Sequence, residues 1–176
     1  MGAREARRRA NAEPPAVVVR PATAADESVL GRLGALIVRT HHKLDPARFI
    51  AATPRTERGY GSWLASQIDE PDVVVLVAER AGEVVGYAYA GVEGPDYMAL
   101  RGPAGVIHDL LVDPAHRGSS VGHRLLDAVL EVLATRGAPR AVLSTAARNE
   151  AAQRLFKRAG FRPTMVEMTR ELDDGS

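Results

Sequence analysis

No cysteine occurs anywhere in the 176 residues. Disulfides, thiolate metal ligands and a covalent cysteine acyl-enzyme are therefore excluded, and any acyl transfer must be direct or use another nucleophile. Long apolar runs are also missing: stretches such as Val73–Ala78 are far too short to span a bilayer. An excess of charge of either sign is absent too. Lys+Arg number 23 against 22 Asp+Glu, a formal net charge of +1, so no global field draws nucleic acid or an anionic membrane. Arg4, Arg7, Arg8 and Arg9 crowd the N-terminus without the apolar core of a secretory signal, and Glu5 and Glu13 argue against a mitochondrial presequence. The reading is a solvated, disordered Arg-rich tail over 1–15, one domain over 16–173 and a cytoplasmic location. His41-His42 are neighbours in sequence with no Cys/His cluster to support them, so no metal is expected.

Two familiar phosphate loops are absent as well. Gly122 is followed by His123 and Arg124, not by the Lys-Ser/Thr of a P-loop, and no Gly-x-Gly-x-x-Gly fingerprint follows a strand. What is present is Ala104–Leu126, an apolar strand running through a short Arg/Gly/Ser loop straight into a helix. The first amides of a helix lack intrahelical acceptors, and the helix dipole adds partial positive charge there. A compact loop leading into such an end suits a phosphate or pyrophosphate. Arg117 adds a fixed cation, and Gly118 and Gly122 allow close approach of a ligand to the backbone.

The remaining chain alternates strand and helix signals. Val17–Val19 reads as a first strand, and Thr23 with Asp26 as a capping pair. The helix that follows aligns Val29, Leu30, Leu33, Leu36 and Ile37 on one face. His41 to Pro46 reads as a polar turn, and a second helical region holds Tyr60, Trp63, Leu64 and Ile68. Asp72–Glu79 and Val84–Val92 flank Ala81-Gly82 as a hairpin. Ala104–Val112 is the fourth strand and Val121–Arg136 the long helix. Ala141–Thr145 is the fifth strand, Glu150–Ala159 the last helix and Thr164–Leu172 a final strand. Strands four and five, joined by one helix, should be parallel.

Arg117-Gly118-Ser119-Ser120-Val121-Gly122, preceded by Asp113-Pro114, resembles motif A of the GNAT superfamily of N-acetyltransferases, Gln/Arg-x-x-Gly-x-Gly/Ala. Ser120 stands where that family usually has its middle glycine. Asn149, Ala152, Leu155, Gly160 and Phe161 resemble its motif B at matching spacing, and Val17–Pro21 with Thr23 and Asp26 resembles its opening. The likeness covers 17–172. It implies an α/β fold with a mixed, mostly antiparallel sheet of six to seven strands, a splayed parallel pair of strands four and five, and helices on both faces.

The resemblance further implies acetyl-CoA as co-substrate, its pyrophosphate on the amides of Arg117, Gly118, Ser119, Ser120, Val121, Gly122 and His123. Its pantetheine would run along Leu110, Leu111 and Val112, with Asn149, Ala152 and Phe156 on the other side. The acceptor would be a small-molecule primary amine, with a protein amine as second choice, and homodimers are common in the family. A base is expected from strand four, where His108 and Asp109 are both available. Alternation along a strand lets at most one face the acceptor directly. The family's tyrosine acid in motif B is replaced by Phe156, which leaves Tyr87, Tyr89, Tyr97 or water to protonate the thiolate. Trp63, Tyr60, His41 and Asp45 are candidates for the acceptor wall. A GNAT-fold acyl-CoA-binding module with little catalysis is the alternative.

Overall fold

The computed structural model describes residues 15–172, and the Arg-rich stretch at 1–14 lies outside them. The order along the chain is β1 (Val17–Pro21), α1 (Glu27–Leu44), α2 (Thr56–Gln67), β2 (Val73–Arg80), β3 (Glu83–Glu93), β4 (Ala104–Val112), α3 (Val121–Thr135), β5 (Ala141–Leu143) and α4 (Glu150–Arg158), with short 3-10 turns at Ala24–Asp26 and Pro114–His116. The strands lie in the order β1-β2-β3-β4-β5, antiparallel except for the parallel β4–β5 pair. Ala81 and Gly82 both take positive φ in the β2–β3 hairpin, the turn whose twist matches its flanking strands. No helix of the described residues is long and apolar enough to cross a membrane.

Alternation along the strands sorts two cores. Val74, Leu76, Val85, Ala88 and Ile107 point to one face, where α3 lays Leu125, Leu126, Val129 and Leu133 and α4 adds Phe156. Val75, Val77, Tyr87 and Leu111 point to the other, against Leu30, Leu33 and Ile37 of α1 and Leu64 of α2. Helices α1 and α2 touch through glycines. A Cβ on Gly31 would meet the Glu57 carbonyl oxygen at 2.4 Å, and one on Gly34 would fall 2.0 Å from the Tyr60 ring. This backbone-to-backbone approach is what carries Tyr60 inward over the sheet.

Several expected elements change. Among the described residues the sheet has five strands, not six or seven. Residues 161–172 take no regular structure, and Met165, Val166 and Met168 are exposed. Their alternation is strand-like, but a strand forms only where an edge receives it, and β5 is three residues long. The fifth strand accordingly stops at Leu143 rather than Thr145. His41 to Leu44 form the last turn of α1, not a polar turn, because basic side chains suit a helix C-terminus. His41 Nδ1 also bonds the Ile37 carbonyl at 2.9 Å.

The entry to α1 is held by charge. Asp26, 5% exposed, receives both terminal nitrogens of Arg20 (2.8 and 3.0 Å) and the amide and hydroxyl of Thr23 (2.8 and 3.1 Å). The Arg20 guanidinium, chiefly, pulls its carboxyl from 3.8 down to about 2. A carboxyl depressed in the folded state stabilises above its unfolded value and ceases to as pH falls through the folded one; a depression of this size corresponds to about 2 kcal/mol. Asp26→Asn should therefore cost about 2 kcal/mol at pH 7. Chemical denaturation of both proteins from pH 7 down to 2 should show that difference closing below pH 4.

Candidate active site

Strand β4 carries both candidate bases. Tyr89 pairs with Asp109 and Ala90 with Ile107, so His108 is an extra residue in a β-bulge. The bulge breaks the alternation expected of neighbours. Ile107 faces the α3 side, whereas Asp109 and Leu111 face α1 and α2, and the His108 ring stacks on Tyr89 of that same face at 5.0 Å. The two candidate bases thus leave the same face, yet only Asp109 lines a cavity there, together with Ile37, Val38, His41, Phe49, Ile50 and Tyr60. His108 sits outside it, Nε2 2.9 Å from Glu93 Oε1.

Asp109 is tightly oriented. Its Oδ2 accepts the hydroxyls of Tyr60 at 2.6 Å and Tyr87 at 2.8 Å. Burial first, then the Asp109 charge, pushes both phenols above their ordinary range, so they stay donors at any physiological pH. Tyr60 and His41 both line that cavity. Asp45 does not line it, taking the Arg48 amide just past α1 instead. Trp63 packs edge-on against Tyr60 and Tyr89. Tyr97 projects, 84% exposed, from the β3–β4 loop. The contact of Tyr60 with Asp109 is the feature sequence reasoning missed. Its available signal was Gly31 and Gly34 one turn apart on α1, with Gly61 beside Tyr60.

On its other edge β4 is half open. It pairs with β5 only from Gly105 to Ile107, after which no strand of the described residues covers it. The Asp113 amide donates to Val85, so the main chain of Leu111 also turns to β3, while Leu110 and Val112 turn theirs to the open edge. There the Val112 carbonyl accepts Nε of Arg117 at 3.2 Å. Across the slot, Gly122 faces Leu155 and Val112, and Ala152 and Phe156 pack on the α3-side core. Asn149 caps α4 through the Ala152 amide at 3.2 Å.

From Gly118 to His123, no amide finds an acceptor among the described residues. Consecutive unpaired N–H groups at a helix start favour an anion. Arg32 anchors the preceding turn by bonding Asp113 at 2.9 Å and holding that carboxyl below its usual range. The loop carries strain at one point: Ser120 has φ +62°, a left-handed conformation that side chains disfavour. Ser120→Gly should raise stability by about 1 kcal/mol, or roughly 2–4 °C in a domain of this size. Thermal unfolding checks this.

A family model described as Acetyltransferase (GNAT) family matches residues 37–161. A mycothiol acetyltransferase of Thermobispora bispora is 36% identical over 97 residues, 53% of this chain and 31% of that protein. An IAA acetyltransferase of Azospirillum brasilense is 28% identical over 92 residues, covering 52% and 56%. The match thus spans about a third of the length of the mycothiol acetyltransferases it resembles. In fold, a tetramutant protein of Bacillus halodurans superposes with a TM-score of 0.77 at 21% identity, over 88% of this chain and 99% of that one. An aminoglycoside N-acetyltransferase in complex with CoA gives 0.64 at 17%, over 92% and 99%.

Proposed function

The chain belongs to the GNAT family of acetyltransferases, and we propose that it is an acetyl-CoA-dependent N-acetyltransferase acting directly on a primary amine of a small molecule. The observation that carries the proposal is the run of free amides from Gly118 to His123, opening α3 beside the uncovered edge of the strand that bears Asp109. An anionic pyrophosphate fits those amides. An extended amide-bearing arm fits the main chain of Leu110 and Val112. Relatives named for mycothiol support a small-molecule acceptor over a protein amine.

Bound acetyl-CoA supplies an electrophilic thioester carbonyl; the amine nitrogen bonds to that carbon, the C–S bond breaks, and acetamide and thiol result. The chain's share is proton handling and alignment. A primary amine is about one part in a thousand neutral near pH 7, so a base beside it matters. Asp109 holds the incoming ammonium and takes its proton, with Tyr60 and Tyr87 fixing its orientation. An open-edge amide of Leu110 or Val112 donates to the carbonyl oxygen. Phe156 carries no proton, the Tyr87 hydroxyl is committed to Asp109 and Tyr97 projects from the β3–β4 loop, which leaves Tyr89 or water to return the proton to sulfur.

Phe156 is also the observation that favours a second reading, an acyl-CoA-binding sensor with little catalysis. Thiol release from acetyl-CoA, measured with a panel of amines, separates the two. Amine-dependent release supports the transferase; tight coenzyme binding without release on any amine supports the sensor.

A further inference from the structure

The cavity beside Asp109 has a volume of about 230 Å³. Its walls come from Ile37 and Val38 of α1, Phe49 and Ile50 of the following loop, and the Tyr60 ring. The polar atoms in it are mostly spent. The Tyr60 hydroxyl is bound to Asp109 and His41 Nδ1 to the Ile37 carbonyl. Asp109 is the one carboxylate in the wall, and both tyrosine bonds fall on its Oδ2. Ile50, 80% exposed, is an apolar side chain on the wall that the chain itself leaves uncovered.

Such a site discriminates by what it cannot offer. Apart from Asp109 Oδ1 and His41 Nε2, the wall side chains offer little that is polar and free, so several hydroxyls or extra ammoniums brought into it would lose water without gaining partners, and an unpaired polar group in an apolar site is strongly disfavoured. An apolar cavity of about 150 Å³ already holds a benzene ring, so the space here suits one ring or one branched chain. Resting on the transferase reading above, we infer that the acceptor is a monoamine with a compact apolar body, either a single aromatic ring or a branched alkyl group, its ammonium on Asp109. Amino sugars and polyamines are excluded as good acceptors.

The test measures kcat/KM of the full chain with acetyl-CoA for phenethylamine, isoamylamine, glucosamine and spermidine, and calorimetric affinities for the same amines with coenzyme A present. The apolar monoamines should exceed glucosamine and spermidine by at least a hundredfold in kcat/KM and bind more tightly. Ile50→Asp, an exposed change that leaves the core alone, and Val38→Asp each add a second carboxylate. Both should lower phenethylamine turnover at least tenfold and raise that of spermidine. Glucosamine or spermidine preferred by the unmodified chain, or a phenethylamine-to-spermidine ratio of kcat/KM unchanged in both variants, overturns the inference. If no amine turns over, the transferase reading fails separately, and the calorimetric order alone decides what the cavity accepts.

Discussion

Asp109→Asn should lower kcat/KM for a good amine at least a hundredfold while coenzyme affinity stays within about twofold. Removal of a general base costs on the order of 10²–10⁴ in rate. The asparagine keeps the shape and can still accept the Tyr60 and Tyr87 hydroxyls through its oxygen, so the loss isolates charge and basicity from packing. Asp109 makes no hydrogen bond to the α3 loop among the described residues, which is why binding of the coenzyme should survive. His108→Ala is the matched control. That ring stacks on Tyr89 and pairs with Glu93 outside the cavity, and its removal should cost less than about tenfold, well under the general-base range. Steady-state kinetics of the two variants at pH 7, with coenzyme titrations alongside, checks both halves. A reversed order would move the base to His108.

Gly122→Asp should weaken acetyl-CoA binding by well over tenfold in a protein that is no less stable. A Cβ at Gly122 meets only Leu155 Cδ2 at 3.4 Å and Val112 Cγ2 at 3.6 Å, ordinary contacts, so the fold accommodates it. A carboxylate in the first turn of α3 is even favourable to the free helix, by about 0.3–1 kcal/mol. The same carboxylate fills the mouth of the slot and competes for the amides from Gly118 to His123. Each charge-assisted bond lost there is worth roughly 1.5–3 kcal/mol, or more than a decade in affinity. Equilibrium dialysis or calorimetry with acetyl-CoA, paired with thermal unfolding, separates the two effects. Unchanged affinity in the folded variant would remove the loop from coenzyme binding.

Local signals carried much of this architecture. The strand–loop–helix from Ala104 to Leu126 and the Ala81-Gly82 hairpin each depend on residues a few positions apart, and each lies where its pattern points. The Thr23–Asp26 pairing is likewise local, although Arg20 and Glu79 complete it. What could not be read depends on partners distant in sequence. The bulge at His108 exists because β3 and β4 change register between Tyr89 and Ala90, and no pattern within β4 announces that shift. Tyr60 reaches Asp109 across 49 positions because glycines on α1 let α2 settle close. Residues 164–172 alternate as a strand should, yet no edge receives them, and the pattern alone does not make one.

The most direct test of the central claim is the release of coenzyme A thiol from acetyl-CoA, followed continuously while phenethylamine is titrated and the product is identified by mass. Release should be saturable, depend on both substrates, yield one N-acetylphenethylamine per thiol and collapse in Asp109→Asn. Coenzyme bound at the α3 loop with no thiol release above the amine-free rate, for phenethylamine and for every other amine tried, would contradict that claim.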